Sequence, residues 1–243
     1  MKILAISQAR AGSKRLPGKI FKQLLGKSML EIHLLRVMSS IRISKLMVAT
    51  TLASDDDATE QIAKKLGLTI YRGKEDDVLD RFYQAAKNEQ CDYIVRITAD
   101  CPLIDPVIID KVIEIAIGGN YDYTSNTLHP TYPDGTDVEV FKFSALQKAW
   151  KEAIQPSDRE HVTPYIWRNS SYNDQSKFTS YSVENQINFS AIRITVDEFV
   201  DFELIKKLME ELGTDKSWED YTAHILTNPT YINLNRHLKR SKA

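Results

Sequence analysis

Arg10, Lys14, Arg15 and Lys19 fall in one short loop, interleaved with Gly12, Ser13, Pro17 and Gly18, directly after the apolar run Ile3 to Ile6. Fixed cations supply charge for phosphate oxygens, glycines let backbone N–H groups turn toward a ligand, and Pro17 stiffens the exit. The combination reads as a polyphosphate cradle. The first thirty residues carry seven Lys or Arg and no acid, which leaves −8 for the remainder of a chain whose overall charge is −1. A loop after the first strand of an α/β sheet lies where such sheets bind ligands, which favours the phosphate reading over an ordinary solvated turn. Neither G-x-G-x-x-G nor G-x-x-x-x-G-K-[ST] occurs, so dinucleotide dehydrogenase and P-loop readings lose their main support.

A second pattern is the pair of matching hexamers Val95-Arg96-Ile97-Thr98-Ala99-Asp100 and Ile192-Arg193-Ile194-Thr195-Val196-Asp197. Each reads as a β-branched strand ending in Asp. At the carboxyl edge of a mostly parallel sheet, Asp100 and Asp197 would both project toward the phosphate loop. Two hard oxygen ligands beside a polyphosphate suit Mg²⁺, which takes one or two carboxylates together with water and phosphate oxygens. Asp197 also stands just before a helix and could be its N-cap, a role worth about 1 kcal/mol. Asp100 has no such alternative, because the next helix opens at Asp105-Pro106.

Elements at helix and strand spacing must position these groups. Strands are expected at Lys2 to Ser7, Leu46 to Thr51, Leu68 to Tyr71 and Asp92 to Thr98, alternating with helices at Ser28 to Ile41, from the capping box Ser54/Asp57 to Leu66, and at Asp77 to Asn88. Asp105 as N-cap and Pro106 at the first helical position open a further helix that Gly118-Gly119 ends. Beyond it, strands at Tyr121 to Ser125 and Val138 to Phe143 flank a loop, 127 to 136. Helices at 144 to 154 and 157 to 168, a strand at 178 to 183, a strand at 191 to 196 and helices at 199 to 212 and 218 to 226 follow. The expected fold is an α/β, Rossmann-like three-layer architecture with a mixed, mostly parallel sheet. One domain spans 1–243, with a small inserted lobe at 120–190 expected to flank the substrate.

Composition sets the outer limits. A chain of 243 residues, 42 % hydrophobic and 27 % charged, buries about 70 to 75 % of its unfolded surface and has no low-complexity tract. No uncharged apolar run approaches the roughly 20 residues needed to span a bilayer, and the start of the chain reads as a strand, so a soluble cytoplasmic protein is expected. Cys91 and Cys101 offer neither a disulfide framework nor a metal pair, and the five histidines lack zinc spacing. The basic tail with Arg236, Lys239, Arg240 and Lys242 is expected to be solvated, since no aromatic-laced basic face marks a nucleic-acid partner.

Several motifs together resemble a known family. Ala9 to Lys19, Leu24 to Leu30, Thr98 to Ile104 and Thr195 to Asp197 are similar to the cytidylyltransferases that make CMP-activated sugar acids, the acylneuraminate and CMP-Kdo synthetase group. The segments Asp77 to Phe82, Tyr132 to Phe141 and Asp158 to Tyr165 place the likeness in the spore-coat polysaccharide biosynthesis branch. The resemblance spans roughly residues 1 to 212 and implies a nucleotide-diphospho-sugar transferase type of fold. It gives Ala9, Arg10, Ala11, Gly12, Ser13, Arg15, Lys19, Arg81 and Thr98 to the nucleotide, with Arg10, Arg15 and Lys19 catalytic, and Asp100 and Asp197 to Mg²⁺. The implied partners are CTP, a small anionic acceptor and a second copy of the chain. One departure concerns the acceptor, since Thr98-Ala99 precedes Asp100 where CMP-Kdo synthetases carry Gln-Gly.

The implied reaction is in-line attack by an acceptor oxygen on the α-phosphorus of CTP, with pyrophosphate leaving, for surface polysaccharide or glycan synthesis. Such chemistry needs positioning and electrostatic stabilisation more than covalent catalysis. Asp134, Asp137 and Glu139 are expected to bind acceptor hydroxyls, and Arg159 and His161 an anionic group of the acceptor, which is either a sugar acid or a phosphorylated or phosphonate compound. Two rivals remain. A nucleotide-sugar glycosyltransferase would use Asp55-Asp56-Asp57 as a metal motif, although those acids sit at a helix start where capping explains them. A non-catalytic nucleotide-binding protein would share the fold without needing Lys19 and both aspartates.

Overall fold

A computed structural model describes residues 1–238 and 240. The chain runs β1 (Ile3–Gln8), a short hairpin of β2 (Gln23–Leu24) and β3 (Lys27–Ser28), α1 (Met29–Met38), β4 (Lys45–Thr51), α2 (Asp57–Lys65), β5 (Thr69–Gly73), α3 (Val78–Ala86), β6 (Tyr93–Thr98) and α4 (Pro106–Gly118). There follow β7 (Tyr123–Ser125), β8 (Glu139–Lys142), α5 (Phe143–Glu152), α6 (Pro156–His161), α7 (Pro164–Arg168), β9 (Ser180–Ser182), α8 (Phe199–Leu212), α9 (Trp218–Thr227) and α10 (Pro229–Asn235).

Seven strands form one sheet in the order β5-β4-β1-β6-β8-β7-β9. The four from β5 to β6 are parallel, β8 runs antiparallel to both neighbours, and β7 and β9 are parallel. Alternate residues of β1 enter opposite cores: Ile3 and Ala5 pack with α1, α4, α8 and α9, whereas Leu4 and Ile6 pack with α3 and α5. Burial on both faces explains why β1 reads as an unbroken apolar run. After β1 the chain builds β4 and β5 on one side, then returns to place β6 on the other, so a crevice opens between the carboxyl ends of β1 and β6.

Residues 120–190, expected as an inserted lobe, supply β7, β8 and β9 to this same sheet and α5 to α7 to one of its faces. Three local expectations differ from the structure. Ser54 caps nothing; it begins a 3₁₀ turn, Ser54–Asp56, whose last residue is buried and hydrogen-bonded elsewhere. Residues 157–168 form α6 and α7 instead of one helix, with Val162 between them at φ 75° and no side-chain cap at Gln155. Pro164 lacks the N–H to continue the first helix, so a break before it follows. Residues 191–196 make a single parallel bridge, Asp134 to Arg193, and lie outside the sheet. Among the described residues no helix is long and apolar enough to cross a membrane.

Candidate active site

The cavity at the switch between β1 and β6 encloses about 690 Å³ and is lined by the β1 loop, the end of β6 and the segments 134–137 and 193–197. Gly18, at φ 64°, takes the left-handed turn that starts the 3₁₀ turn Lys19–Phe21 and sends the Lys19 side chain inward. Lys19 is 8 % exposed. Its Nζ donates to Asp197 Oδ1 at 2.9 Å, Asp100 Oδ2 at 3.1 Å and the Val196 carbonyl at 2.7 Å. Burial disfavours the ammonium, but the two carboxylates outweigh it and raise the Lys19 pKa. Burial likewise opposes the Asp100 charge, yet Lys19 and the Thr98 hydroxyl hold that carboxyl down at about 2.

The matching hexamers meet without both being strands. Val196 N–H and Thr195 Oγ1 donate to the Asp100 carbonyl at 2.8 and 3.2 Å, which brings the two aspartates to the one ammonium. Gly135, at φ 109°, permits this crossing, because a Cβ there would lie 2.5 Å from Thr195 N. Asp197 is not a helix cap: Glu198 caps α8 in a reciprocal box with Asp201. Beneath it lies Arg193, 5 % exposed, whose guanidinium donates to Asp134 at 2.7 Å, to Asp197 at 3.0 Å and to both oxygens of Asp201 at 3.0 Å. Arg15, half exposed, also reaches Asp197 Oδ1 at 2.9 Å. Asp100 and Asp197 are therefore hard oxygen donors converging on a position that already holds positive charge, a donor set that fits a divalent cation sharing phosphate oxygens.

The β1 loop is anchored from below. Asp56 Oδ1 accepts the Ala11 N–H at 2.7 Å while its other oxygen accepts from the Thr51 N–H and hydroxyl. Ser13 and Gly18 N–H groups both turn to the Ala11 carbonyl. The N–H groups of Gly12, Lys14 and Arg15 have no partner among the described residues, and Ser13, Lys14 and Arg15 line the rim. Ala9 and Arg10 also line the cavity, and Arg10 is held by Glu75 at 2.9 Å. Arg81 is fully buried under the loop 74–76, donating to the Lys74 carbonyl at 2.5 Å, while its Nε and Nη2 have no partner among the described residues.

His33 of α1 ties the floor together. The Cys101 carbonyl can only accept, so Nδ1 carries the proton in that 2.9 Å bond, and Nε2 accepts from Ser7 Oγ at 2.7 Å. Burial keeps this imidazole neutral by lowering its pKa to about 4.

On the acceptor side the expected residues separate. Asp134, Asp137 and His161 line the cavity. Glu139 is buried behind it, paired with Arg96 and accepting from the Tyr123 and Thr163 hydroxyls. Arg159 points away, with two donors on Asp77 and one on the Trp150 carbonyl. Burial and the neighbouring Asp137 push the Asp134 carboxyl up to about 6 despite Arg240 and Arg193, and burial raises Asp137 as well. The tail, expected to be solvated, delivers Arg240 to the Asp137 carboxylate, with its Nε 3.8 Å from Asp134; Lys239 and Lys242 lie outside the described residues. Sequence reasoning missed Asp56, Arg193, His33 and Arg240. The shared second position of the two hexamers, Arg96 and Arg193, was a signal for one of them; Arg240 carried none. Of the run Asp55-Asp56-Asp57, Asp56 serves the loop and Asp57 pairs with Arg72 at 2.7 Å, which leaves the glycosyltransferase reading without its metal motif.

Comparison with known proteins supplies the context. A family model described as Cytidylyltransferase matches residues 4–225. An uncharacterized protein of Methanocaldococcus jannaschii is 42 % identical over 212 residues, covering 86 % of this chain and 84 % of that one. The spore coat polysaccharide biosynthesis protein SpsF of Bacillus subtilis is 34 % identical over 220 residues, 87 % and 88 % of the two chains. The structure of a cytidylyltransferase from Leptospira borgpetersenii superposes with a TM-score of 0.89 at 33 % identity, covering 100 % of this chain and 98 % of that one.

Proposed function

We propose, since the chain belongs to the cytidylyltransferase family, that it transfers the cytidylyl group of CTP to an oxygen of a small anionic acceptor, a sugar acid, and releases pyrophosphate. The observation that carries this is the ammonium of Lys19 lying between Asp100 and Asp197 at the mouth of the β1 loop. A buried lysine flanked by two carboxylates, at the end of a loop with unpartnered N–H groups among the described residues, suits a ligand that brings both phosphate charge and a cation.

In this reading the N–H groups of Gly12, Lys14 and Arg15 receive the β- and γ-phosphates. Arg15 and Lys19 lie within reach of the same oxygens and balance charge as it shifts to the leaving pyrophosphate. Mg²⁺, held by Asp100 and Asp197, would neutralise phosphate charge and orient the α-phosphate when bound. Lys19 then exchanges its aspartate partners for phosphate oxygens, a change its flexible stem allows. Asp134 and Asp137 orient the attacking acceptor oxygen, and His33 keeps the Asp100 segment in place through the Cys101 carbonyl. A role in polysaccharide synthesis, supported by the likeness to the spore coat protein, belongs to the same proposal, as do a cytoplasmic location and a dimeric assembly.

Pyrophosphate release tests it. With Mg²⁺, each of the four nucleoside triphosphates is offered with sugar acids and with phosphorylated or phosphonate acceptors, and Asp100→Ala serves as control. CTP-dependent release with one acceptor class, lost in Asp100→Ala and on chelation, is the expected result. Absence of CTP binding by the wild-type protein would overturn the proposal.

A further inference from the structure

The chain past residue 225 lies outside the region matched by the family model, yet it contacts two cavity-lining residues, Arg193 and Asp137. Helix α10 docks on α8 and α9, with Tyr231 8 % exposed and its hydroxyl on Glu211. At its end Asn235, 3 % exposed, donates from Nδ2 to Asp201 Oδ1 at 2.8 Å and to the Arg193 carbonyl at 3.1 Å. Asp201 in turn accepts the backbone N–H groups of Asp197 and Glu198 at 3.0 Å. The helix end is therefore locked to the same buried cluster that holds Asp197. Five residues on, Arg240 seats its Nη2 on Asp137, and its Nη1 is buried with no partner among the described residues.

The charges around this end of the cavity are unevenly committed. Arg193 has its donors on three carboxylates. Lys19 has all three ammonium protons engaged. Arg96 is paired with Glu139. Arg240 is the cation that joins the cavity-lining carboxylates Asp134 and Asp137 while one guanidinium nitrogen has no partner among the described residues. A planar guanidinium can hold a protein carboxylate on one nitrogen and an anionic ligand on another, which a point charge does less well.

We propose that α10 and Arg240 complete the acceptor end of the site and that Arg240 is a specificity-determining residue, binding the carboxylate or phosphate of the acceptor beside Asp137. Asn235 is the positioning residue that fixes the end of α10 against the cluster holding Asp197. The assignment rests on the cytidylyl-transfer reading, and it gives that reading its source of discrimination: a neutral sugar would bring no negative charge to the Arg240 nitrogen that Asp137 does not hold.

The test measures binding to the CTP-loaded protein by ligand-observed NMR. The probes are 3-deoxy-manno-octulosonate, N-acetylneuraminate, glucose 1-phosphate and the methyl esters of the two sugar acids. Wild-type protein is expected to hold at least one anionic probe at least tenfold more tightly than a neutral ester. In Arg240→Ala the tightest probe should weaken about tenfold and lose its preference over neutral compounds, with CTP affinity unchanged; Arg240→Lys should recover part of the loss. Truncation after Leu238, which keeps Asn235, should match Arg240→Ala and so separates loss of the guanidinium from a folding defect. Equal binding in Arg240→Ala, tighter binding after truncation as for a removed plug, or no preference for anions in the wild type would each overturn the assignment. Those outcomes leave pyrophosphate release intact, whereas loss of CTP binding in the wild type counts against the cytidylyl-transfer reading itself.

Discussion

Lys19 and Asp197 stand 178 positions apart in the chain and meet at 2.9 Å in the cavity. The contact joins the first loop of the fold to the segment that leads into α8, and Asp100 is drawn to the same ammonium. The three residues form one ion-pair cluster, in which removing any member leaves charge uncompensated.

Lys19→Met leaves two carboxylates facing each other across a partly buried gap. The expected stability loss at pH 7 is about 2 kcal/mol, below that of a fully buried pair because Asp100 remains partly exposed. The turnover loss is expected to be about 10² to 10³, the usual effect of removing a preorganised charge. Urea unfolding at pH 7 and pH 4 checks the first part. The deficit should shrink at the lower pH, where the abandoned aspartates take up protons, and a deficit independent of pH would contradict it.

Asp56→Asn tests the anchor of the phosphate loop. The carboxylate accepts four hydrogen bonds, from the N–H groups of Ala11 and Thr51 and the hydroxyls of Thr51 and Thr59, and an amide supplies only one oxygen while adding two donors. A loss of roughly 2 kcal/mol follows from the donors left unsatisfied. The KM for CTP should rise several-fold with kcat changed less. An unaltered CTP KM in a destabilised but folded variant would show that the anchor does not shape the cradle.

His33 predicts a pH dependence of stability. Its folded pKa is lowered to about 4 from an ordinary 6.5, so the unfolded chain takes the proton first as pH falls. Stability from this residue is present above about pH 6.5 and is lost progressively down to about pH 4, by roughly 3 kcal/mol in all. His33→Gln should be less stable at neutral pH and show a shallower slope across that window. Parallel slopes for the two proteins would remove His33 as the cause.

Arg193→Lys keeps the charge but loses the fork that grips Asp201 with two nitrogens while reaching Asp134 and Asp197. A cost of about 3 kcal/mol is expected for this buried cluster. Turnover should fall further than CTP affinity, because Asp197 loses one of the contacts that place it. Denaturant midpoints together with steady-state kinetics separate the two effects.

The sequence by itself determined the α/β class, the strand that opens it and the cationic loop at that strand's end. These are written in local patterns: an apolar run, Gly18 where a left-handed turn is needed, Asp105-Pro106 at a helix start. The two hexamers also announced Asp100 and Asp197 as a pair, although the second turned out to lie outside the sheet. The tertiary structure alone decided which charges neutralise which. Arg193 and Arg159 look alike in sequence, yet one is sealed among three carboxylates beneath the cavity and the other turns to Asp77 on its far side. Asp56 became the anchor of Ala11 and Arg240 the cap of Asp137 across separations of 45 and 103 residues. The physical reason is range: turns and caps are settled by neighbours a few residues away, whereas a buried charge is stable only beside a partner, and the packing of distant elements chooses that partner.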